Sequence, residues 1–178
     1  MYRPDLVDVW VFRLDPAGRP EVLLMRRSPG RILAGLWQGV SGSLEPGERI
    51  VAGALRELAE ETGLGWNDLE VFFDLDQVNQ FHEPSVDAIV TAAVFAARVG
   101  PSVGIVRSHE HDASRWLTPA AALELIVWPA YRESRRRVRV SRSLTIFGSI
   151  HDCISRSLTG PPMSLRARCR LWRCALYP

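Results

Sequence analysis

The chain has 178 residues, of which 47% are hydrophobic, a composition typical of a globular domain rather than of a disordered segment. No apolar run is long enough to cross a membrane, and the N-terminal residues do not match a signal peptide, so a cytoplasmic location is expected. The net charge of +2 is unevenly distributed along the chain. Up to Ala130 there are 11 arginines and 18 acidic residues, whereas from Tyr131 onward there are 11 arginines and only two acidic residues.

The first predicted elements are two strands joined by a turn. Residues 7–12 and 21–27 are dense in β-forming side chains, and a turn signal at residues 15–18 lies between them. These strands should therefore pair as a hairpin. Residues 28–35 are predicted to form a loop, which leads into a glycine-rich approach to the next element.

A helix is predicted from about Arg49 or Ile50 to Gly63. The turn signal Pro46-Gly47 precedes it, and a glycine suits the left-handed conformation that ends many helices. Apolar side chains at helical spacing predict one buried stripe, formed by Val51, Ala54, Leu55 and Leu58.

The region after this helix predicts further strands. Residues 69–78 indicate a strand pair or one bent strand, residues 79–85 a loop, and residues 86–99 a long strand whose small side chains suggest burial. Residues 114–117 indicate a short strand near the end of this region.

A second helix is predicted after the last strand. Thr118 is a suitable N-cap and Pro119 suits the first helical position, so the helix should run to about Trp128. Strands interspersed with two helices predict an α/β fold in which a mixed sheet lies between helices.

The first helix carries three glutamates on one face. Glu57, Glu60 and Glu61 are spaced i, i+3 and i+4, so their like charges repel. A hard divalent cation such as Mg²⁺ would remove this penalty, because it takes carboxylate oxygens as ligands and shares them with substrate phosphates. The alternative is an ordinary solvated acidic face with Arg56 beside it.

A longer pattern surrounds these glutamates, namely Gly-x5-Glu-x7-Arg-Glu-apolar-x-Glu-Glu-x-Gly-apolar. Every specified position is filled without a gap, by Gly42, Glu48, Arg56, Glu57, Leu58, Glu60, Glu61, Gly63 and Leu64. On this pattern the chain resembles the Nudix hydrolase family. The resemblance implies an α/β/α sandwich with a loop-helix-loop catalytic motif, bound divalent ions, and hydrolysis of a nucleoside diphosphate linked to another group X.

The resemblance assigns roles within this motif. Glu57, Glu60 and Glu61 are the expected ligands of Mg²⁺, or alternatively Mn²⁺, together with a backbone carbonyl at Ser41 or Gly42. Arg56 should pair with Glu48 and hold loop and helix in register, because a guanidinium suits bidentate pairing with a carboxylate.

Glu110 is the first candidate outside the motif. Nudix enzymes often bring a further carboxylate from a late loop to the metal site as ligand or base, and an exposed loop charge is the alternative reading. His109 and His111 flank it, and in a polar loop both are expected to be solvated rather than to contact substrate.

Three residues around the approach loop are candidates for substrate binding. Arg26 and Arg27 end the second strand, so one should face solvent or substrate and the other the sheet edge. One of the two is a candidate phosphate clamp. Trp37 either stacks on a base or pterin ring or packs in the core, and Gly42 allows close approach to a ligand.

The segments at residues 36–45 and 110–117 look like the bacterial dihydroneopterin triphosphate pyrophosphohydrolase subgroup. This implies release of pyrophosphate from a nucleotide or pterin triphosphate. The alternatives are another linked group, such as a diadenosine polyphosphate, an ADP-sugar or an oxidised nucleotide, and a Nudix-fold binding module without turnover.

The arginine-rich end of the chain matches no recognisable pattern. We expect residues 1–144 to form the Nudix domain and residues 145–178 a basic extension, with residues 131–144 as a candidate basic helix. Nucleic acid is not an expected partner, since no reader module interleaves with the arginines. No membrane partner is expected. A homodimer is possible, with the basic extension as one candidate contact.

Overall fold

A computed structural model describes residues 3–127. The predicted basic helix, the extension and the predicted helix end at Trp128 lie outside the described residues. The elements are β1 (Leu6–Leu14), β2 (Pro20–Arg27), β3 (Trp37–Gln38), β4 (Val40–Ser43), α1 (Ile50–Thr62), a 3₁₀ turn (Trp66–Asp68), β5 (Leu69–Glu83), β6 (Ala88–Val99), β7 (His111–Leu117) and α2 (Pro119–Leu125).

Strand β1 is the centre of one mixed sheet. It pairs antiparallel with β2 and with β4, and parallel with β6 on its other side. The order across the sheet is β3-β2-β1-β6-β5, with β4 also on β1 and β7 on β2. The predicted hairpin of β1 and β2 is therefore confirmed.

The two faces of the sheet are covered by different helices. Alternate residues of β1 point to opposite faces, so Val9 lies in the core that contains Leu58 of α1. Phe12 lies in the second core, with Ala122 of α2 and with Ile126. The α/β/α sandwich with a mixed central sheet is thus confirmed.

The predicted loop at residues 79–85 is wrong. Residues 79–83 continue β5 and pair with β6 as far as Glu83 opposite Ala88. A bulge between Asp74 and Gln77 bends the strand, and Asp76 there has a positive φ of 56°. The polar residues of this segment favour a loop locally, but pairing with a long neighbouring strand outweighs their weak β-propensity.

Strand β7 also begins earlier than predicted, at His111 rather than residue 114. Its first residues gain pairing with the end of β2, where Arg27 lies opposite His111. This pairing brings the loop before β7 next to the end of β2. Within residues 3–127, neither helix has the length and apolarity needed to span a bilayer.

Candidate active site

Helix α1 has the predicted boundaries. Arg49 is its N-cap, and Gly63 ends it with φ 72° while its N–H donates to the Ala59 carbonyl at 2.9 Å. The predicted stripe is only partly buried, because Val51 is 47% exposed. The buried face instead runs from Ala54 through Leu58 to Glu61, so it carries a carboxylate into the interior.

Arg56 joins the loop to the helix through Glu48, as expected. Its Nε donates to Glu48 Oε1 at 2.9 Å and its Nη2 to Glu48 Oε2 at 3.0 Å. Nη2 also donates to the Ser43 carbonyl at 2.8 Å. These bonds from Arg56, followed by one from the Glu45 N–H, lower the pKa of Glu48 to about 2. Both charges of this pair are therefore matched.

Arg3 also binds this loop, a role that no motif in the sequence predicts. Its Nη2 donates to the Glu45 carbonyl at 2.8 Å and to the Glu48 carbonyl at 2.7 Å. Gly53 contributes by its small size, because a Cβ there would lie 2.8 Å from Glu48 Oε2. A glycine inside a helix costs about 1 kcal/mol relative to alanine, which is a signal that sequence reasoning passed over.

Gly42 lies directly against the Glu57 carboxylate. A Cβ on Gly42 would collide with that carboxylate, so only glycine leaves this space open. Glu57 is mostly buried and accepts a bond from Arg56 Nη1 at 2.8 Å. Burial nevertheless raises the pKa of Glu57, and repulsion by Glu60 and Glu110 adds to the rise while Arg56 opposes it.

Glu61 is the most buried carboxylate of the motif, with 3% of its surface exposed. Burial raises its pKa to about 8, and repulsion by Glu57 and Glu110 adds to the rise. Arg27 and a hydrogen bond from the Ser41 backbone oppose it. Among residues 3–127, Glu61 Oε2 has no hydrogen-bond partner.

Glu60, by contrast, projects outward. Its side chain is 58% exposed and its Oε2 accepts a bond from Arg56 Nη1 at 3.1 Å. Two of the three glutamates, Glu57 and Glu60, are therefore held by the same guanidinium. The structure brings Glu57 and Glu61 closest to the interior of the site.

The structure brings Glu110 to the same cluster. Arg27 Nη1 donates to its Oε2 at 3.0 Å, and Arg31 approaches its other oxygen at 3.8 Å. Its charge raises the pKa values of both Glu57 and Glu61. Glu110 is therefore ion-paired and partly exposed, and its role as a metal ligand or base stays a prediction.

The two histidines beside Glu110 differ. His109 is exposed, as expected, and its carbonyl accepts a bond from Ser28. The expectation that His111 is solvated is wrong, because pairing with β2 buries it to 4% exposure. Burial, followed by repulsion from Arg27, lowers the pKa of His111 to about 4, so it is neutral at physiological pH.

Arg26 and Trp37 form a second group at the edge of the sheet. Arg26 makes a bidentate pair with Asp112, at 2.7 and 3.0 Å. The guanidinium carbons of Arg26 and Arg115 lie 5.9 and 4.9 Å from the Trp37 ring centre. Trp37 is half-buried and packs against the α2-side core, which favours packing over base stacking. Asp112 and Arg115 were not predicted.

The residues of the cluster fit a hard divalent cation. Within residues 3–127, no three side chains of His, Cys, Asp or Glu stand together as a preformed metal site, and Arg56 holds Glu57 and Glu60 by ion pairs. Ionisation of Glu61 would nevertheless place a negative charge on this unpartnered oxygen, which a cation could neutralise, and oxygen ligands of this kind suit Mg²⁺. A cation there would offset the repulsion that raises the pKa of Glu61.

The comparison with protein families identifies the class. A family model described as the NUDIX domain matches residues 4–138. The chain belongs to the NUDIX family and is a hydrolase that acts on phosphoanhydride bonds. Proteins of this family generally use divalent metal ions. The resemblance inferred from the motif is confirmed.

The chain is similar to two proteins that are named as pyrophosphohydrolases. The chain is 29% identical over 110 residues to the CTP pyrophosphohydrolase of Escherichia coli (strain K12), covering 62% of this chain and 76% of that protein. The structure of the E. coli dihydroneopterin triphosphate pyrophosphohydrolase matches with 27% identity and a TM-score of 0.56, covering 72% of this chain and 90% of that one.

A third relative is much longer than the matched region. The chain is 38% identical over 118 residues, or 65% of its length, to an octanoyltransferase of Myxococcus xanthus. The match spans only 31% of that relative. The match therefore supports only a shared domain, and the relative's name is not transferred to this chain.

Proposed function

We propose that this protein is a Mg²⁺-dependent pyrophosphohydrolase. Its substrate would be a nucleoside triphosphate-like molecule, such as dihydroneopterin triphosphate, an NTP or a dNTP, and its products the monophosphate and pyrophosphate. The observation that carries the proposal is Glu61, a buried carboxylate with an unpartnered oxygen beside Glu57 and Glu110.

Glu57, Glu60 and Glu61 would hold the ion, with a backbone carbonyl of Ser41 or Gly42. A bound Mg²⁺ would supply neutralisation of the phosphate charge and a water molecule of lowered pKa. Gly42 leaves room for the Glu57 carboxylate, which lies where a Cβ at position 42 would be. Arg56 positions the helix against the loop through Glu48 and keeps the glutamates in place.

Glu110 would serve as an additional ligand or as the base that accepts the proton of the attacking water. Arg27 orients it by a bond at 3.0 Å, and a base must lie within hydrogen-bond reach of the proton that it takes. Both arginines are ion-paired, Arg26 with Asp112 and Arg27 with Glu110, but Arg27 lies at the cluster and is therefore the better-placed phosphate clamp. Guanidinium groups suit phosphate oxygens because they donate in a planar fork.

Two similarities support a triphosphate substrate. The CTP pyrophosphohydrolase is covered over 76% of its length, and the dihydroneopterin triphosphate pyrophosphohydrolase is 27% identical over a similar fold. Both names describe release of pyrophosphate. The intact motif glutamates argue against a binding module without turnover, since the charges that such a module does not need are all present.

A release screen tests the proposal. The full chain is incubated with Mg²⁺, Mn²⁺ or EDTA and with dihydroneopterin triphosphate, NTPs, dNTPs, ADP-ribose, NADH and diadenosine polyphosphates, and pyrophosphate and phosphate are measured separately. Pyrophosphate from triphosphates, abolished by EDTA and by Glu61→Gln, is the expected result. Turnover only of linked diphosphates would replace the substrate, and no turnover with either metal would overturn the proposal.

A further inference from the structure

Two arginines flank the Glu110 carboxylate, one at each oxygen. Arg27 Nη1 donates to Oε2 at 3.0 Å, whereas Arg31 Nη1 lies 3.8 Å from Oε1, which is longer than a hydrogen bond. Arg27 is also fixed by its Nε, which donates to the Ile32 carbonyl at 3.3 Å. Within residues 3–127, Arg31 has only this one long contact with an acid, so its guanidinium keeps donors for a ligand.

The backbone holds Arg31 beside the carboxylate cluster. Arg31 belongs to the loop of residues 28–35, and its N–H donates to the Ser28 carbonyl at 3.2 Å. Ser28 in turn donates its N–H to the Glu110 carbonyl at 2.8 Å and its hydroxyl to the His109 carbonyl at 3.0 Å. The loop is therefore bonded to the segment that carries Glu110, and this connection fixes where Arg31 lies relative to the cluster.

Burial separates the two arginines. The Arg27 side chain is 17% exposed, whereas the Arg31 side chain is 37% exposed. Arg27 faces the buried carboxylates, because its charge opposes the raised pKa of Glu61. Arg31 lies further out, at the rim of the cluster. A phosphate chain whose reacting group lies at the cluster would therefore meet Arg27 close to that group and Arg31 further along the chain.

The end of a phosphate chain suits a guanidinium of this kind. A terminal phosphate carries a charge of about −1.5 to −2 at neutral pH and offers three acceptor oxygens, which match the planar fork of arginine. ADP-ribose, NADH and diadenosine polyphosphates have no terminal phosphate. We propose that Arg31 binds the terminal phosphate of the substrate and thereby favours a free triphosphate over a linked diphosphate. This inference rests on the proposed function and specifies its substrate class.

The decisive comparison uses ATP and its γ-methyl ester, in which the terminal phosphate loses one charge while the ring and the inner phosphates stay the same. Formation of AMP is measured with Mg²⁺. For the wild-type chain, kcat/KM should be about 10-fold higher with ATP, the effect of a hydrogen bond between charged groups. In Arg31→Gln this ratio should fall toward one, through a higher KM for ATP. The same ratio in both chains would overturn the proposal.

Two further variants separate this role from a general effect of charge. Arg31→Lys keeps the charge but loses the planar fork, so it should keep part of the preference for ATP. The control Arg49→Gln removes the same charge from an exposed arginine at the start of α1 and should keep the wild-type ratio. All chains should melt alike, because a partly exposed ion pair contributes little to stability. An equal fall of kcat with ATP and with the ester in Arg31→Gln would show that Arg31 acts only through Glu110 and would contradict the proposal.

Binding of inorganic pyrophosphate separates this inference from the proposed function. Pyrophosphate and ADP-ribose are titrated by calorimetry, with Mg²⁺, into the wild-type chain, Arg31→Gln and Arg49→Gln. Pyrophosphate should bind about 10-fold more weakly to Arg31→Gln than to the other two chains, whereas ADP-ribose should bind all three equally. This result would support the role of Arg31 even if no triphosphate were hydrolysed. Equal affinities for pyrophosphate, or no binding of it to the wild-type chain, would overturn that role even if triphosphates were hydrolysed.

Discussion

Helix α1 carries glutamate chemistry of two opposite kinds at its two ends. Near its start, Glu48 meets Arg56 in a bidentate ion pair, and its pKa is lowered to about 2. Near its end, Glu61 is buried among carboxylates, and its pKa is raised to about 8. The same residue type is thus fully compensated at one end and uncompensated at the other.

This difference separates a structural role from a chemical one. A matched pair such as Arg56 and Glu48 is self-sufficient and needs no ligand. An uncompensated buried carboxylate costs free energy, and such sites with strongly perturbed pKa values are concentrated where binding or catalysis needs them. On this contrast we propose that Glu61 takes part in the chemistry and that Glu48 supports the loop.

The largest loss of activity is expected from Glu61→Gln, and Glu57→Gln is a parallel variant. Losing a carboxylate ligand should lower kcat by about three orders of magnitude, because the metal contributes several kcal/mol to the reaction. Pyrophosphate release is the measurement, with circular dichroism as the check on folding. Glu45→Gln is the control, because Glu45 is an exposed acid in the loop before α1. It should keep wild-type activity. Full activity in Glu61→Gln would refute the ligand assignment.

Gly42→Ala should displace the Glu57 carboxylate without changing any charge. The new Cβ would collide with the Glu57 carboxylate, which is the far end of a flexible side chain and can turn away. The fold should therefore survive, with kcat lowered about 100-fold because misplaced catalytic groups cost about that much. Gly104→Ala, where a Cβ meets nothing within 4 Å, is the matched control. A wild-type rate in Gly42→Ala would show that Glu57 need not lie there.

The raised pKa of Glu61 predicts how stability depends on pH. The folded chain holds the Glu61 proton more tightly than the unfolded chain, so this contribution is complete below about pH 4.5 and is lost as pH rises to about 8. In EDTA, urea unfolding should show Glu61→Gln losing about 3 kcal/mol less than wild type between pH 5 and 8. If the free energy of unfolding had the same pH dependence in both proteins, the pKa of Glu61 would not be raised in the folded chain.

Glu48→Gln probes the compensated end. Removing the charge leaves Arg56 with a weaker partner, and the loss of such a supporting contact to a metal site typically costs about 10-fold in activity. The melting temperature should also fall, because this carboxyl stabilises the fold above about pH 4.5 and loses that effect as pH falls toward 2. A larger loss of kcat than in Glu61→Gln would reverse the assignment of the two ends.

The smallest effect is expected from the arginine-rich extension. Deleting residues 145–178 should leave kcat and KM with the best substrate unchanged, because the residues of the carboxylate cluster all lie between Gly42 and Glu110. Steady-state kinetics of the two chains is the measurement. A marked rise in KM would show that the extension contributes to substrate binding.

Much of the fold followed from local pattern. The bounds of α1 and its glycine cap, the β1–β2 hairpin and the proline start of α2 all depend on neighbours within a few residues. The failures share one cause. Residues 79–83 are a strand, and His111 is buried, because of pairing with partners distant in sequence.

The sequence by itself determined which groups could do the chemistry. Its spacing placed Glu57, Glu60 and Glu61 on one helix, since helical geometry depends only on the number of residues between side chains. Its motif predicted the pair of Arg56 and Glu48, because a guanidinium suits bidentate pairing with a carboxylate. These assignments required no knowledge of the rest of the chain.

Only the tertiary structure decided how each group is used. Periodicity selected Val51 for the interior, but the packing of α1 on the sheet exposes it and buries Glu61 instead. Glu110 reaches the cluster because β7 pairs with β2. Asp8 reaches Asn79 because β1 and β5 both pair with β6. Burial and charge environment arise from segments far apart in the chain, and spacing along the sequence carries no record of them.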